Sequence, residues 1–322
     1  MEYLLKEGKH MTHKTIHGYK GFESNMTCRS FRYEVGKTYE MNGKIEPCEH
    51  GFHFCQKMAD VFNYYGQKGC RYAEVEGLGE VINERNKYVT NKLHVVRELT
   101  WAEILNIMYA QEGRDFKDEP FPADKIIKAR DAGTLGKILP SGTEFPVTFA
   151  NGEKNILVVG RDKSRTYLVA KYLMAKKFAM NDERTNKGGW PACRMREHVQ
   201  GIYDMLPKDI RRVIVPMHIR QIVRDEVVEC EDRAFLLSSV NVFGKDAWDP
   251  EADCYDTQID IFREAEARMK KRPGASSASW WWLRSAYGSN GFYCVDTDGS
   301  INYGNADYEG GVVVGFCIET RS

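Results

Sequence analysis

Residues 281–318 read WWLRSAYGSNGFYCVDTDGSINYGNADYEGGVVVGFCI, and the contrast between the ends and the middle decides how the chain folds. The ends are apolar. Trp281, Trp282 and Leu283 open the stretch, and 311–318 form a continuous apolar run with strand character. The middle, 287–308, holds four tyrosines and one phenylalanine among Gly, Ser, Asn and Asp. Tyrosine offers a wide, stiff contact surface with a hydroxyl for hydrogen bonding, and small polar residues adapt around it. This mixture fits a recognition surface. It fits equally a set of turns whose aromatics are tucked into the core.

The middle has a second property. Asn codons (AAC, AAT) mutated at their adenines never yield Lys, Glu, Gln, Met or Trp. None of these occurs from 286 to 308, although Lys and Glu are frequent elsewhere; Glu309 lies just outside that window. The WWLRS opening, the Asn/Tyr-rich middle and the closing GVVVGFCI resemble the C-terminal variable region of diversity-generating retroelement target proteins. Those proteins have a C-type-lectin fold related to formylglycine-generating enzymes. Looser likeness extends upstream. It takes in 189–196 (GWPACRMR), 207–216 and 235–239 followed by 242–244, with Asn241 where an acidic residue is more usual.

The resemblance implies an α+β protein whose C-type-lectin-like domain spans 133–322, with a variable region at 286–310. Trp281, Trp282, Leu283 and the 312–318 strand would be scaffold. Tyr287, Ser289, Asn290, Phe292, Tyr293, Asp296, Asp298, Ser300, Asn302, Tyr303, Asn305, Asp307 and Tyr308 would contact ligand. The implied role is non-enzymatic: a phage- or prophage-encoded display protein for a protein or glycan ligand on a bacterial surface. Such proteins gain avidity as homo-oligomers. No cofactor is implied.

Composition sets outer bounds. The 322 residues suit two domains, with 42% apolar and 29% charged residues. Lys+Arg and Asp+Glu are both 46, so bulk positive charge for nucleic acid is absent. No apolar stretch is long enough to span a bilayer, which argues against membrane insertion. The opening MEYLLKEGKHMTHK lacks the hydrophobic run of a signal peptide. The expectation is synthesis in the cytoplasm, with virion association, and nine cysteines that are mostly buried thiols.

The first region, 1–115, reads as a smaller α+β domain. Strands are expected at 30–35, 51–54, 71–75 and 93–96, with helices at 57–65 and from Trp101. Polar 113–124, with two prolines, is the best linker candidate; the connection is placed at 116–132, and the helix at 125–132 could belong to either side. Beyond it, strands are expected at 144–149, 155–159, 167–170, 212–216 and 234–239. Helices are expected at 195–206 and 258–271.

Chemistry has three further candidates. Cys294 and Cys317 could mimic the cysteine pair of the formylglycine-generating relatives, but both positions carry cysteines in non-enzymatic template sequences. Asp296-Thr297-Asp298-Gly299 is half of a calcium loop, with no bidentate Glu at the required spacing; a turn explains it better. Cys48, His50, His53 and Cys55 are zinc-type ligands, yet their spacing is too tight for a finger or ribbon. The first region also resembles an uncharacterised phage and bacterial domain through 19–22 (YKGF), 33–39, 47–55 and 97–100. The order of YKGF, GFHFC and a helix ending in Tyr64-Tyr65 resembles ADP-ribosyltransferase-like folds, without an identifiable catalytic Glu. The alternative function is therefore an enzyme of that kind, targeted by the lectin-like domain.

Overall fold

The computed structural model describes residues 15–67, 69–113, 120–249, 253 and 256–320. The opening segment 1–14 and residues 114–119 of the expected linker lie outside the described residues. The chain is a mixed α+β protein that divides into two compact units. One holds the described residues up to Tyr65 together with Gly69–Thr100; the other holds Gly66, Gln67 and everything from Trp101 onward.

The break therefore falls at Thr100/Trp101, upstream of the proline-bearing linker read from the sequence. Helix Trp101–Glu112 packs with the C-terminal unit, and its polar contacts show why. Glu112 accepts the Gly274 N–H (2.7 Å) and the Tyr172 hydroxyl (2.8 Å). The Tyr109 hydroxyl donates to the Lys154 carbonyl at 2.8 Å. Helix Ala123–Asp131, expected in the connection, buries Ala123, Ile126 and Ala129 in the same core.

In the first unit four antiparallel strands run in the order Ile16–Phe22, Arg71–Gly77, Lys92–Glu98, Thr38–Glu40. A smaller sheet orders Phe52–Phe54, Lys87–Thr90 and Val81–Glu84. The inward positions of these strands, among them Phe22, Phe52, Phe54, Val75, Leu93 and Val95, meet in one apolar cluster.

The second unit is built on a five-stranded antiparallel sheet. Its order is Glu144–Thr148, Lys154–Arg161, Arg165–Ala170, Val314–Thr320, Phe235–Leu236. The C-terminal strand is thus interior to the sheet, and Val314 to Ile318 are all fully buried or nearly so. A three-stranded antiparallel meander, Trp281–Tyr287, Gly291–Val295 and Ile301–Asn305, packs into the same core. The hairpin Met217–Val223/Glu226–Asp232 and helix Arg194–Asp204 complete the scaffold.

Two expected elements take another form. Residues 212–216 were expected as a strand, but Lys208–Val213 is helical and only Val215 bridges to the C-terminal strand, donating to the Cys317 carbonyl at 2.8 Å. Pro207 precedes the helix, Asp209 sits in its first turn and Arg211 and Arg212 in its last, an arrangement that complements the helix dipole. The expected helix at 258–271 breaks into the short turns Asp260–Phe262 and Ala265–Arg268. Its carbonyls serve side chains instead: Phe262 O accepts from Arg268 in the same segment, and Arg268 O from the Trp281 indole N–H at 2.9 Å.

Candidate functional site

Strand alternation sorts the meander 281–305 into two faces. Tyr293 stands opposite Tyr303, and Tyr287 opposite Gly291, which in turn faces Asn305. Residues directly opposite share a face, so Tyr287, Tyr293 and Tyr303 project together. The other face carries Trp282, Phe292, Cys294 and Gly304 into the core. Gly304 is required there, because a Cβ would come within 2.7 Å of the Trp282 ring.

A bulge locks this arrangement. Between the Trp282–Cys294 and Ala286–Phe292 pairs the first strand carries extra residues, Leu283 to Ser285. The bulge buries Arg284 and Ser285, each 1% exposed. Arg284 pairs with Asp256 and donates to the Leu236 carbonyl (2.8 Å) and to Asn241 Oδ1 (3.1 Å). The Ser285 hydroxyl donates to Asp253 and accepts the Ser239 N–H at 2.8 Å. Burial pushes the Asp253 carboxyl up to about 6, against the pull of Arg284. Asn241, where an acidic residue was the commoner expectation, also caps helix Ser239–Phe243 in a reciprocal box with Ser238.

The 287–291 turn is held from outside. Asn186, fully buried, donates to the carbonyls of Tyr287 (3.1 Å), Gly288 (3.0 Å) and Gly291 (2.9 Å). Arg224 donates to Asn186 Oδ1 at 3.0 Å and to the Ser289 carbonyl. Arg224 and Asp225 both adopt positive φ, 52° and 66°, at the tip of the 217–232 hairpin. Non-glycine residues pay strain there, and here it aims the Arg224 guanidinium at the turn.

The face so held carries an aromatic cluster that the sequence reading did not contain. Trp248, 54% exposed, follows the turn Gly244–Asp246. Its ring lies 5.9 Å from Tyr293, 6.3 Å from Tyr303 and 6.4 Å from Tyr287. Tyr287 and Tyr303 stack at 4.1 Å. Tyr303 is 50% exposed, whereas Tyr293 is 4% exposed and forms the floor beneath the other rings. Burial, then the Asp249 carboxylate, push the Tyr293 hydroxyl up to about 12. Trp248 lies far upstream of the variable window, and nothing in its own neighbourhood of sequence marked it.

The expected contact residues therefore divide. Tyr287, Ser289, Asn290, Asn305, Asp307 and Tyr308 lie at the end of the meander nearest the 287–291 turn, and Tyr303 stands midway along its strand. Arg184 pairs with Asp307 (3.3 Å) and sits over the Tyr308 ring (5.6 Å). Asp296, Asp298, Ser300 and Asn302 belong to the opposite turn or its edge. There Asp298 accepts the Ser300 N–H and hydroxyl (2.9 and 2.6 Å), and Asp296 accepts from Asn302 (2.9 Å). These are turn-forming bonds. Phe292 and Tyr293 correct the expectation directly. Phe292 is fully buried because its strand position faces the core, and Tyr293 is covered by neighbouring rings.

The other candidates are also placed. Burial pushes the Cys294 and Cys317 thiols up to about 12 each, the protonated form, which is a poor nucleophile. The Cys48/His50/His53/Cys55 set does not converge. His53 Nε2 accepts the Cys48 N–H (2.9 Å), the His50 ring bonds the Asn42 carbonyl (3.1 Å) and Cys48 takes Lys87 (2.6 Å). Burial, then Lys20, pull His53 down to about 4. Among the described residues no group of three His, Cys, Asp or Glu could hold a metal, and no helix is long and apolar enough to cross a membrane.

Residues 16–107 match the family model of a domain of unknown function, DUF7666, and 163–320 match that of a second, DUF6273. No curated protein and no solved structure matches the chain.

Proposed function

We propose that the C-terminal unit is a ligand-display domain of the C-type-lectin-like kind, similar to diversity-generating retroelement variable proteins, and that it binds a protein or glycan on a bacterial surface. The observation that carries this reading is the aromatic face. Tyr287 and Tyr303 project from strands whose opposite side is core, and Trp248 joins them from another segment. Trp and Tyr are the side chains that dominate recognition hot spots, because they bury much area for little entropy. The rim is the small polar set Ser289, Asn290 and Asn305. The absence of Lys, Glu, Gln, Met and Trp from 286–308 supports the retroelement part of the reading.

Energetics favour the division of labour. Exposed display residues add little to stability, while the buried Arg284/Ser285 network fixes the strand that presents them. The surface can then vary without unfolding the scaffold.

Binding of the fluorescent full chain to a panel of intact bacterial strains tests the proposal. Trp248→Ala combined with Tyr303→Ala should leave the thermal transition nearly unchanged and weaken cell binding by roughly thirtyfold or more, the weight of a hot-spot residue. Equal binding by wild type and the double variant on every strain would remove the aromatic face from the proposal.

A further inference from the structure

A second cluster lies in the first unit and has no part in display. Lys20 takes an inward position on strand Ile16–Phe22 and is only 4% exposed. Its Nζ lies 5.3 Å from the Tyr33 ring centroid and 5.7 Å from that of Phe22. It donates to the His53 carbonyl at 2.8 Å and reaches Cys28 Sγ at 3.6 Å. Burial pulls the Lys20 ammonium down from its ordinary value; the groups that favour its charge are sulfurs, Cys28 first and then Cys55. The Tyr65 hydroxyl donates to the same Cys28 sulfur at 2.8 Å. Cys28 itself is half-buried. The YKGF and GFHFC motifs thus meet at the Lys20 ammonium, which donates to the His53 carbonyl and reaches the Cys28 sulfur.

A buried ammonium among aromatic rings is costly unless it faces an anion. Two donors converging on one sulfur are what stabilise a thiolate, the nucleophilic form of cysteine. We propose that Cys28 is a nucleophilic thiol, with Lys20 and Tyr65 as its anion-stabilising partners, and that its substrate class is a small hydroperoxide. The sulfur attacks the terminal peroxide oxygen. The S–O bond forms as the O–O bond breaks, and the departing alkoxide or hydroxide takes a proton from Lys20 or Tyr65. Sulfur is oxidised by two electrons to the sulfenic acid, and the peroxide is reduced to alcohol or water.

The test treats the full chain with hydrogen peroxide, traps sulfenic acid with dimedone and maps the adducts by peptide mass spectrometry. Cys28 should label at least about tenfold faster than the half-buried Cys70 and Cys230. Lys20→Met should slow Cys28 by roughly tenfold without changing the rate at Cys70, and Lys20→Arg should restore most of the loss. Tyr65→Phe keeps the ring and removes only the donor, so it carries the test if Lys20→Met fails to fold; it too should slow Cys28 selectively. Labelling of Cys28 no faster than Cys70, or an unchanged Cys28 rate in Tyr65→Phe and in any folded Lys20→Met protein, overturns the proposal.

Discussion

Phe292 and Tyr303 are ten or so residues apart in one short segment, yet they do opposite work. Phe292 is fully buried in the core; Tyr303 is half exposed over it. Phe292→Ala should cost about 3–5 kcal/mol by urea unfolding, the range for emptying a buried aromatic site. Tyr303→Ala forfeits mainly its stacking on Tyr287, and should cost no more than about 1 kcal/mol. Glu153 makes a separate residue-scale prediction. It is buried, accepts the Ala175 N–H at 2.6 Å, and burial pushes its carboxyl up to about 7. The folded state therefore holds a proton that the unfolded chain releases at lower pH. Stability is greatest below the unfolded value and falls as pH rises toward 7, by up to about 3 kcal/mol. Glu153→Gln keeps an acceptor without the charge. Its unfolding free energy should change much less between pH 5 and 8, and a slope equal to wild type would contradict the assignment.

At the scale of elements, the meander depends on the bulge that buries Arg284. Arg284→Met would leave the Asp256 carboxylate with Arg165 alone, at 3.2 Å, and should destabilise the protein by about 3–5 kcal/mol. Loss of tyrosine burial, read as a change in fluorescence before global unfolding, would show that the strand had detached. These elements were legible in the sequence only in part. The apolar ends, Trp281 to Leu283 and the C-terminal strand, declared themselves as scaffold by composition. The strands Gly291–Val295 and Ile301–Asn305 did not, because Gly and Asn carry low strand propensity and here serve packing, as Gly304 does under Trp282. The charged run 258–271 has helical composition, but its Phe262 carbonyl is taken by the run's own Arg268 side chain and its Arg268 carbonyl by the Trp281 indole, and these contacts outweigh propensity. Trp248 gave no signal at all. Its role exists only once the fold brings it beside Tyr287 and Tyr303, 39 and 55 positions later.

At the scale of the molecule, the chain divides into two compact units, and the two matched families cover 16–107 and 163–320, the first running past the Thr100/Trp101 break into helix Trp101–Glu112. The α+β class follows from the mixture of short strands and helices along the chain, and the presence of two units from its length. The boundary did not, because Pro-rich polar text looks like a linker while Glu112 and Tyr109 tie the preceding helix to the second unit. The central claim concerns that second unit: a display face varied on a constant scaffold. Sequencing the coding segment for 280–320 and its flanking DNA across sibling strains tests it most directly. The account predicts a nearby template repeat and reverse transcriptase gene, with substitutions only at template adenines. They should concentrate at 287, 289, 290, 303, 305 and 308 and spare Trp282, Arg284, Ser285 and Phe292. Substitutions spread evenly over buried and exposed positions, or mismatches away from template adenines, would contradict it.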